Sequence, residues 1–223
     1  ANLLCEDYAS IGEALLAYLA QAGAASPSAA ALAVATSPHV DRVCFTNNPW
    51  SFSTAELAVQ FGLQRLRVVN DFYANALAVP LLRAPDLQQV GGGAAVPGTP
   101  MAVIGPGSGL GVSAVVSNGA GYTAIPGAGG HVTMPPTDAD ESAVLALMRG
   151  RYDHVSAERL LSGPGLINIY NALCEIDGAP AEALTAAQIS HALHAEGDGR
   201  AKRAAQMFCA MLGTVAGNLA LTL

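Results

Sequence analysis

Residues 101–126, MAVIGPGSGLGVSAVVSNGAGYTAIP, decide the fold. Met101–Ile104 is a short apolar run of strand type, and Gly105–Gly111 (GPGSGLG) is a glycine-rich turn. Val112–Val116 is a second strand. Asn118-Gly119 is a strong hairpin signal, and Tyr122–Ile125 returns as a third strand. Upstream, Arg65–Val69 alternates like a strand and delivers Asn70-Asp71 at its C-terminal end. A short helix follows, stopped by Pro80, which cannot continue a helical hydrogen-bond ladder.

Further toward the N-terminus, the stretches Ser10–Glu13 and Ser53–Glu56 each place a serine three residues before a glutamate. That is the capping-box signature of a helix start, and Gly62 supplies a stop for the second helix. Ala29–Thr36 and Val40–Phe45 are strand-like runs separated by a turn at Ser37–His39. From Thr137 onward the pattern is helical. Thr137–Asp140 and Thr185–Gln188 resemble helix starts, and the last long helix begins near Arg200. Strands paired around a glycine turn, with helices alternating and then dominating, indicate an α/β protein. Ligands in such sheets bind at the C-terminal ends of strands or in the turns that follow.

The composition bounds the function. Of 223 residues, 52% are hydrophobic and 12% charged, enough for a core in one large domain or two lobes. The net charge is −7 and the only lysine is Lys202. No basic face is available to neutralise the phosphates of a nucleic acid. Cys5, Cys44, Cys174 and Cys209 form no CxxC pair, so they read as buried free thiols. A cytoplasmic location fits, with no signal peptide in view. Residues 205–223 are almost uncharged, but they include Gln206, Thr214, Asn218 and two glycines. They read as a buried helix and not as a membrane span.

Four constellations carry candidate chemistry. Asp71 at a strand end has the residue type of a base for a hydroxyl proton, and Asn70 can both donate and accept bonds to sugar hydroxyls; helix capping by either residue is the alternative. Gly105, Gly107, Ser108 and Gly109 belong to a turn whose amides suit an anion, or else to a tight hairpin. The turn is not a Walker A loop, because no Gly-Lys-Ser/Thr follows it. His131 closes PGAGGH (126–131), a backbone able to bend closely around a small ligand, or a merely structural loop. No second His or Cys stands at metal-ligand spacing from it. Glu158 precedes the Ser162–Gly165 corner; the alternative there is a helix capped by Ser156 with Glu158 and Arg159 in its first turns.

In this order, VVNDFYANALAVP (68–80), GPGSGLGV (105–112), PGAGGHV (126–132), HVSAERLLSGPG (154–165) and GNLALTL (217–223) resemble bacterial glucokinases. Thr46-Asn47 with Trp50–Phe52 adds a further landmark, and the resemblance covers essentially the whole chain. It implies the two-lobed ribonuclease H-like fold of actin and hexokinase, with residues 1–80 a partial small lobe and 81–223 a partial large lobe. It implies ATP-dependent phosphorylation of glucose at the 6-hydroxyl. Asp71 would be the catalytic base. Asn70, His131 and Glu158 would bind the sugar, and Gly105–Gly111 would lie near ATP. Mg2+ would travel with the nucleotide, and homologous kinases suggest a homodimer.

Two departures stand out. The family's loop carries a glutamate where this chain has Ala128. The family's D-x-G-G-T phosphate loop is missing, and its adenosine-binding glycine segment would follow the final helix. The resemblance therefore implies a chain cut at both ends, and poor ATP binding by the fragment alone. Two other readings remain in view. One is a non-catalytic sugar sensor of the same fold, favoured by Ala128. The other is a related hexose or aminosugar kinase, against which stands the lack of any cysteine between His131 and Cys174.

Overall fold

The computed structural model describes residues 2–23, 27–36, 41–45, 48–194, 196 and 199–223. The turn expected over Ser37–His39, Val40 and the Thr46-Asn47 pair lie outside these. The chain divides into two compact units, Ala1–Ala78 and Val79–Leu223.

In the first unit, β1 (Ala29–Val34) and β4 (Arg65–Asn70) pair in parallel, with Val34 opposite Asn70. A parallel pair needs a long crossover. Here the crossover carries an antiparallel ribbon, β2 (Arg42–Cys44) with β3 (Ser51–Ser53), and then α2 (Thr54–Gln60). Helix α1 (Ile11–Ala22) starts as its sequence signature requires, with the Ser10 hydroxyl accepting from Glu13 N. The Glu13 carboxylate reaches back to Ala9 N, one residue before the cap. Ser53 likewise accepts from Glu56 N at the start of α2. Val34, Val43, Phe52 and Leu57 form the buried core, with Ile11, Leu15, Leu32 and Val68 packed against them. Helix α3 (Asp71–Ala78) leaves β4 directly and gives way to a 3-10 turn containing Pro80.

Asp41 braces the start of α2. Its carboxylate accepts from the Thr54 hydroxyl at 2.5 Å and from Ala55 N at 2.9 Å. The Ser53 and Thr54 hydroxyls, with the Ala55 amide, hold its carboxyl down to about 2. A depressed folded-state value stabilises the fold above the unfolded carboxylate's value of about 4, and that contribution fades as pH falls toward 2. Asp41→Asn should therefore melt below the wild type at pH 7, with the gap closing between about pH 4 and pH 2. Thermal unfolding followed by circular dichroism across that range checks this; a gap undiminished at pH 2 would refute it.

The second unit is built on an antiparallel meander in the order β5-β6-β7, formed by Met101–Pro106, Leu110–Ser117 and Tyr122–Pro126. The strands run further into the glycine segment than its sequence suggests. Gly105 pairs with Gly111 and Pro106 with Leu110, so the turn is only Gly107–Gly109, closed by Gly107 N donating to Gly109 O at 2.8 Å. The ladder is built from backbone groups alone, so it extends into residues that carry no strand-like side-chain pattern.

Helices α4 (Ala139–Arg149), α5 (Gly163–Ile176), α6 (Ala186–His191) and α7 (Arg200–Thr222) complete the unit. Its core joins Leu110 and Val112 of β6 to Leu145 and Met148 of α4, Ile169 and Leu173 of α5, Ile189 of α6 and Met211 of α7. The Thr185/Gln188 capping box forms as its sequence implies. The start expected at Thr137 falls one residue later. Asp138 caps α4 by accepting from Glu141 N at 2.7 Å, and the Glu141 carboxylate takes both the amide and the hydroxyl of Thr137. A carboxylate is the stronger acceptor, so Asp138 wins the cap. At the other end of the unit, Asp177 binds Arg200 Nε at 2.8 Å and Arg203 Nη1 at 3.1 Å, tying the end of α5 to the start of α7. The Arg200 bond, before the Arg203 charge, holds the Asp177 carboxyl below the usual range.

Two expectations are corrected. Only Cys174 is a buried thiol. Cys44 takes the outward position of β2 beside inward Val43, Cys209 lies on the open face of α7, and Cys5 sits in an exposed 3-10 turn. The apolar stretch 205–223 is not a fully buried helix either. Helix α7 is long and apolar enough to cross a membrane by length and composition alone. It packs Ala204, Met211 and Val215 into the core while Gln206, Ala210, Gly213 and Gly217 stay exposed. Apolar composition without a polar stripe does not reveal which face is covered.

Candidate functional site

Asn70 and Asp71 stand at the junction of β4 and α3. The Asn70 amide oxygen accepts from Phe72 N (2.9 Å) and Tyr73 N (3.1 Å), while its NH2 donates to Thr36 O (3.3 Å). Asn70 thus caps α3, the alternative its sequence left open, and its carboxamide is locked between helix and strand. The Asp71 Oδ1 accepts from Phe72 N at 2.8 Å. Its Oδ2 has no hydrogen-bond partner among the described residues. This oxygen, on a half-buried residue just after a strand end, can take a proton from a bound hydroxyl.

In the second unit, chain segments far apart in sequence bring Glu158 and His131 together. Ala157 N donates to Val132 O at 2.8 Å, and Met134 N donates to Val155 O at 3.1 Å. The Thr133 hydroxyl meets His154 Nε2 at 3.0 Å. This short ladder aligns two 3-10 turns, Gly129–His131 and Ala157–Arg159. Ser156 sits at the start of the second turn without a side-chain capping bond. Glu158 Oε1 lies 3.9 Å from His131 Nδ1, with the His131 side chain exposed and that of Glu158 half-buried. That distance is too long for a hydrogen bond, so each group keeps capacity for a ligand hydroxyl. Glu158 Oε2 accepts from Leu110 N at 2.9 Å, immediately after the glycine turn.

The amides of Ser108 and Gly109 have no backbone partner among the described residues, and Ser108 is exposed. They are the donors this turn can offer an anion. Gly105 is a paired strand residue and Gly107 N is spent within the turn. Among the described residues, no group of three His, Cys, Asp or Glu side chains is arranged to hold a metal ion.

Sequence reading missed the supports of Glu158. The buried Ser162 hydroxyl donates to Glu158 O (2.8 Å) and accepts from Gly165 N (3.1 Å), so one hydroxyl caps α5 and fixes the Glu158 backbone. Asn168 Nδ2 holds Arg159 O at 2.9 Å. The Arg159 guanidinium stacks 4.3 Å from the centre of the Tyr152 ring. The Ser-x-x-Gly cap was legible in the sequence; the tie to Glu158 was not.

The glucokinase family model matches residues 1–223. The chain is 48% identical over 223 residues to the glucokinase of Aromatoleum aromaticum, covering 100% of this chain and 67% of that relative. Curated relatives are covered over 63% to 70% of their lengths. Among solved structures, a glucokinase from an Antarctic psychrotroph superposes with a TM-score of 0.82 at 33% identity, covering 97% of this chain and 67% of that one. A glucokinase from Balamuthia mandrillaris in complex with glucose shares the fold, with a TM-score of 0.69 at 19% identity, over 94% of this chain and 67% of that one.

Proposed function

Because the chain belongs to the glucokinase family, we propose that the whole protein transfers the γ-phosphoryl group of ATP to the 6-hydroxyl of glucose. The observation that carries this reading is the family match across residues 1–223. The geometry within each unit supports it. Asp71 Oδ2 accepts the 6-hydroxyl proton as that oxygen attacks the γ-phosphorus and ADP leaves. His131 and Glu158 hold the sugar hydroxyls and fix the attacking oxygen, and Asn70 adds the one amide hydrogen that its cap on α3 and its bond to Thr36 O leave unused. Phosphoryl transfer demands positioning and charge stabilisation more than covalent help from the protein. The free amides of the Gly107–Gly109 turn supply donors for the nucleotide phosphates, and Mg2+ arrives as part of the nucleotide substrate, in the cytoplasm.

A coupled assay on the complete protein tests this, with ADP release requiring both ATP and glucose. Release that ignores glucose would reject it. Calorimetric binding of glucose without turnover would instead favour the non-catalytic sugar sensor, which the loss of an acidic side chain at Ala128 suggests.

Ala128 is exposed, and its carbonyl accepts from His131 N at 2.9 Å. Ala128 shares its loop with His131, and being exposed it can carry a longer side chain. Ala128→Glu should restore a charged acceptor worth about 1–3 kcal/mol, tightening glucose binding roughly 5- to 150-fold. Calorimetric titration checks this; an unchanged affinity would show that the loop does not touch the sugar.

A further inference from the structure

Glu158 and the glycine turn compete for the same space. A Cβ added to Gly109 would lie 2.4 Å from Glu158 Oε2 and 3.1 Å from its carboxyl carbon, whereas one on Gly107 would meet nothing within 4 Å. Leu110 N then grips that same oxygen. Both partners are anchored from behind. Ser162 holds the Glu158 carbonyl, and Gly163 N donates to Gly107 O at 2.8 Å, so the start of α5 secures the turn and the acidic residue together. With both backbones fixed, the mobile part is the carboxylate.

The geometry points to Gly109 as a positioning residue for the sugar. The empty space above its Cα and the adjacent Leu110 amide hold Oε2, and this leaves Oε1 beside His131, aimed for a hexose hydroxyl. This rests on the reading of Glu158 as a sugar ligand. It adds that the turn assigned to the nucleotide also sets glucose affinity when no nucleotide is bound. A phosphate that shifts the turn then changes glucose affinity, and glucose changes nucleotide affinity by the same factor.

The substitution is informative because the clash falls on the far end of a flexible side chain. Gly109→Ala should displace the carboxylate while leaving the fold in place. Calorimetric titration of glucose into the complete protein, without nucleotide, compares wild type, Gly109→Ala, Glu158→Ala and the double variant. Gly109→Ala is expected to weaken glucose binding at least about tenfold, within the range for losing a charged hydrogen bond, with an unchanged thermal unfolding midpoint. The double variant should match Glu158→Ala alone, because no carboxylate remains to be pushed aside. Wild-type affinity in Gly109→Ala, or losses that simply add in the double variant, would overturn the inference. Wild-type affinity in Glu158→Ala would instead overturn the sugar-site reading beneath it.

Discussion

Asp71→Asn in the complete protein should lower kcat roughly 10²- to 10⁴-fold, the usual contribution of a positioned general base. The KM for glucose should hardly move. The carboxamide is isosteric, its oxygen can still accept from Phe72 N as Oδ1 does now, and its NH2 can still bond a sugar hydroxyl. What it cannot do is take the proton of that hydroxyl as the oxygen–phosphorus bond forms. Loss confined to kcat is the signature of an interaction made only in the transition state. The cap on α3 belongs to Asn70, so the unfolding midpoint should stay at the wild-type value. Steady-state kinetics with varied glucose decides the matter: wild-type kcat would remove Asp71 from the chemistry, and a rise in KM alone would make it only a sugar ligand.

The second large effect is on stability. Gly165→Ala should destabilise the second unit by about 3 kcal/mol, the upper part of the range for overpacking, while Gly163→Ala should fall within about 0.5 kcal/mol of wild type. The two glycines share one corner and differ in their surroundings. A Cβ at Gly165 would lie 2.4 Å from the Leu160 carbonyl carbon, 2.5 Å from its oxygen and 2.8 Å from its Cα. These are backbone atoms beside a fully buried side chain, so nothing can swing away. A Cβ at Gly163 would meet Gly107 O at an ordinary 3.5 Å. Relief at Gly165 requires α5 to lift off the turn that carries Glu158, so glucose affinity should fall along with stability. Urea denaturation midpoints separate the two variants, and equal midpoints would mean that α5 does not pack as closely as described.

Much of this architecture is legible in the residues, for identifiable reasons. Strand β4 shows itself through alternation from Arg65, and α3 through Asn70, Asp71 and the stop at Pro80. The meander is legible because Asn118-Gly119 marks a turn between two β-branched runs. Legibility fails where backbone atoms carry the information. The pairing of Gly105 with Gly111 leaves no side-chain pattern, so the turn looks longer than it is. Thr137 and Asp138 are both competent caps, and only their geometry selects the second. The open face of helix α7 carries Cys209, Ala210, Gly213 and Gly217 in place of charged residues, so it does not stand out from the buried face by polarity. The Glu158–Leu110 bond joins residues 48 apart in sequence, through an amide that every residue but proline possesses.

The most direct test of a glucose 6-kinase is the product itself. Phosphorus NMR of the complete protein with ATP, magnesium and glucose should show ADP and a phosphomonoester on the sugar's 6-oxygen, with no transfer to 6-deoxyglucose. Phosphate appearing on another oxygen, or ADP forming at the same rate with the 6-deoxy sugar, would contradict the account.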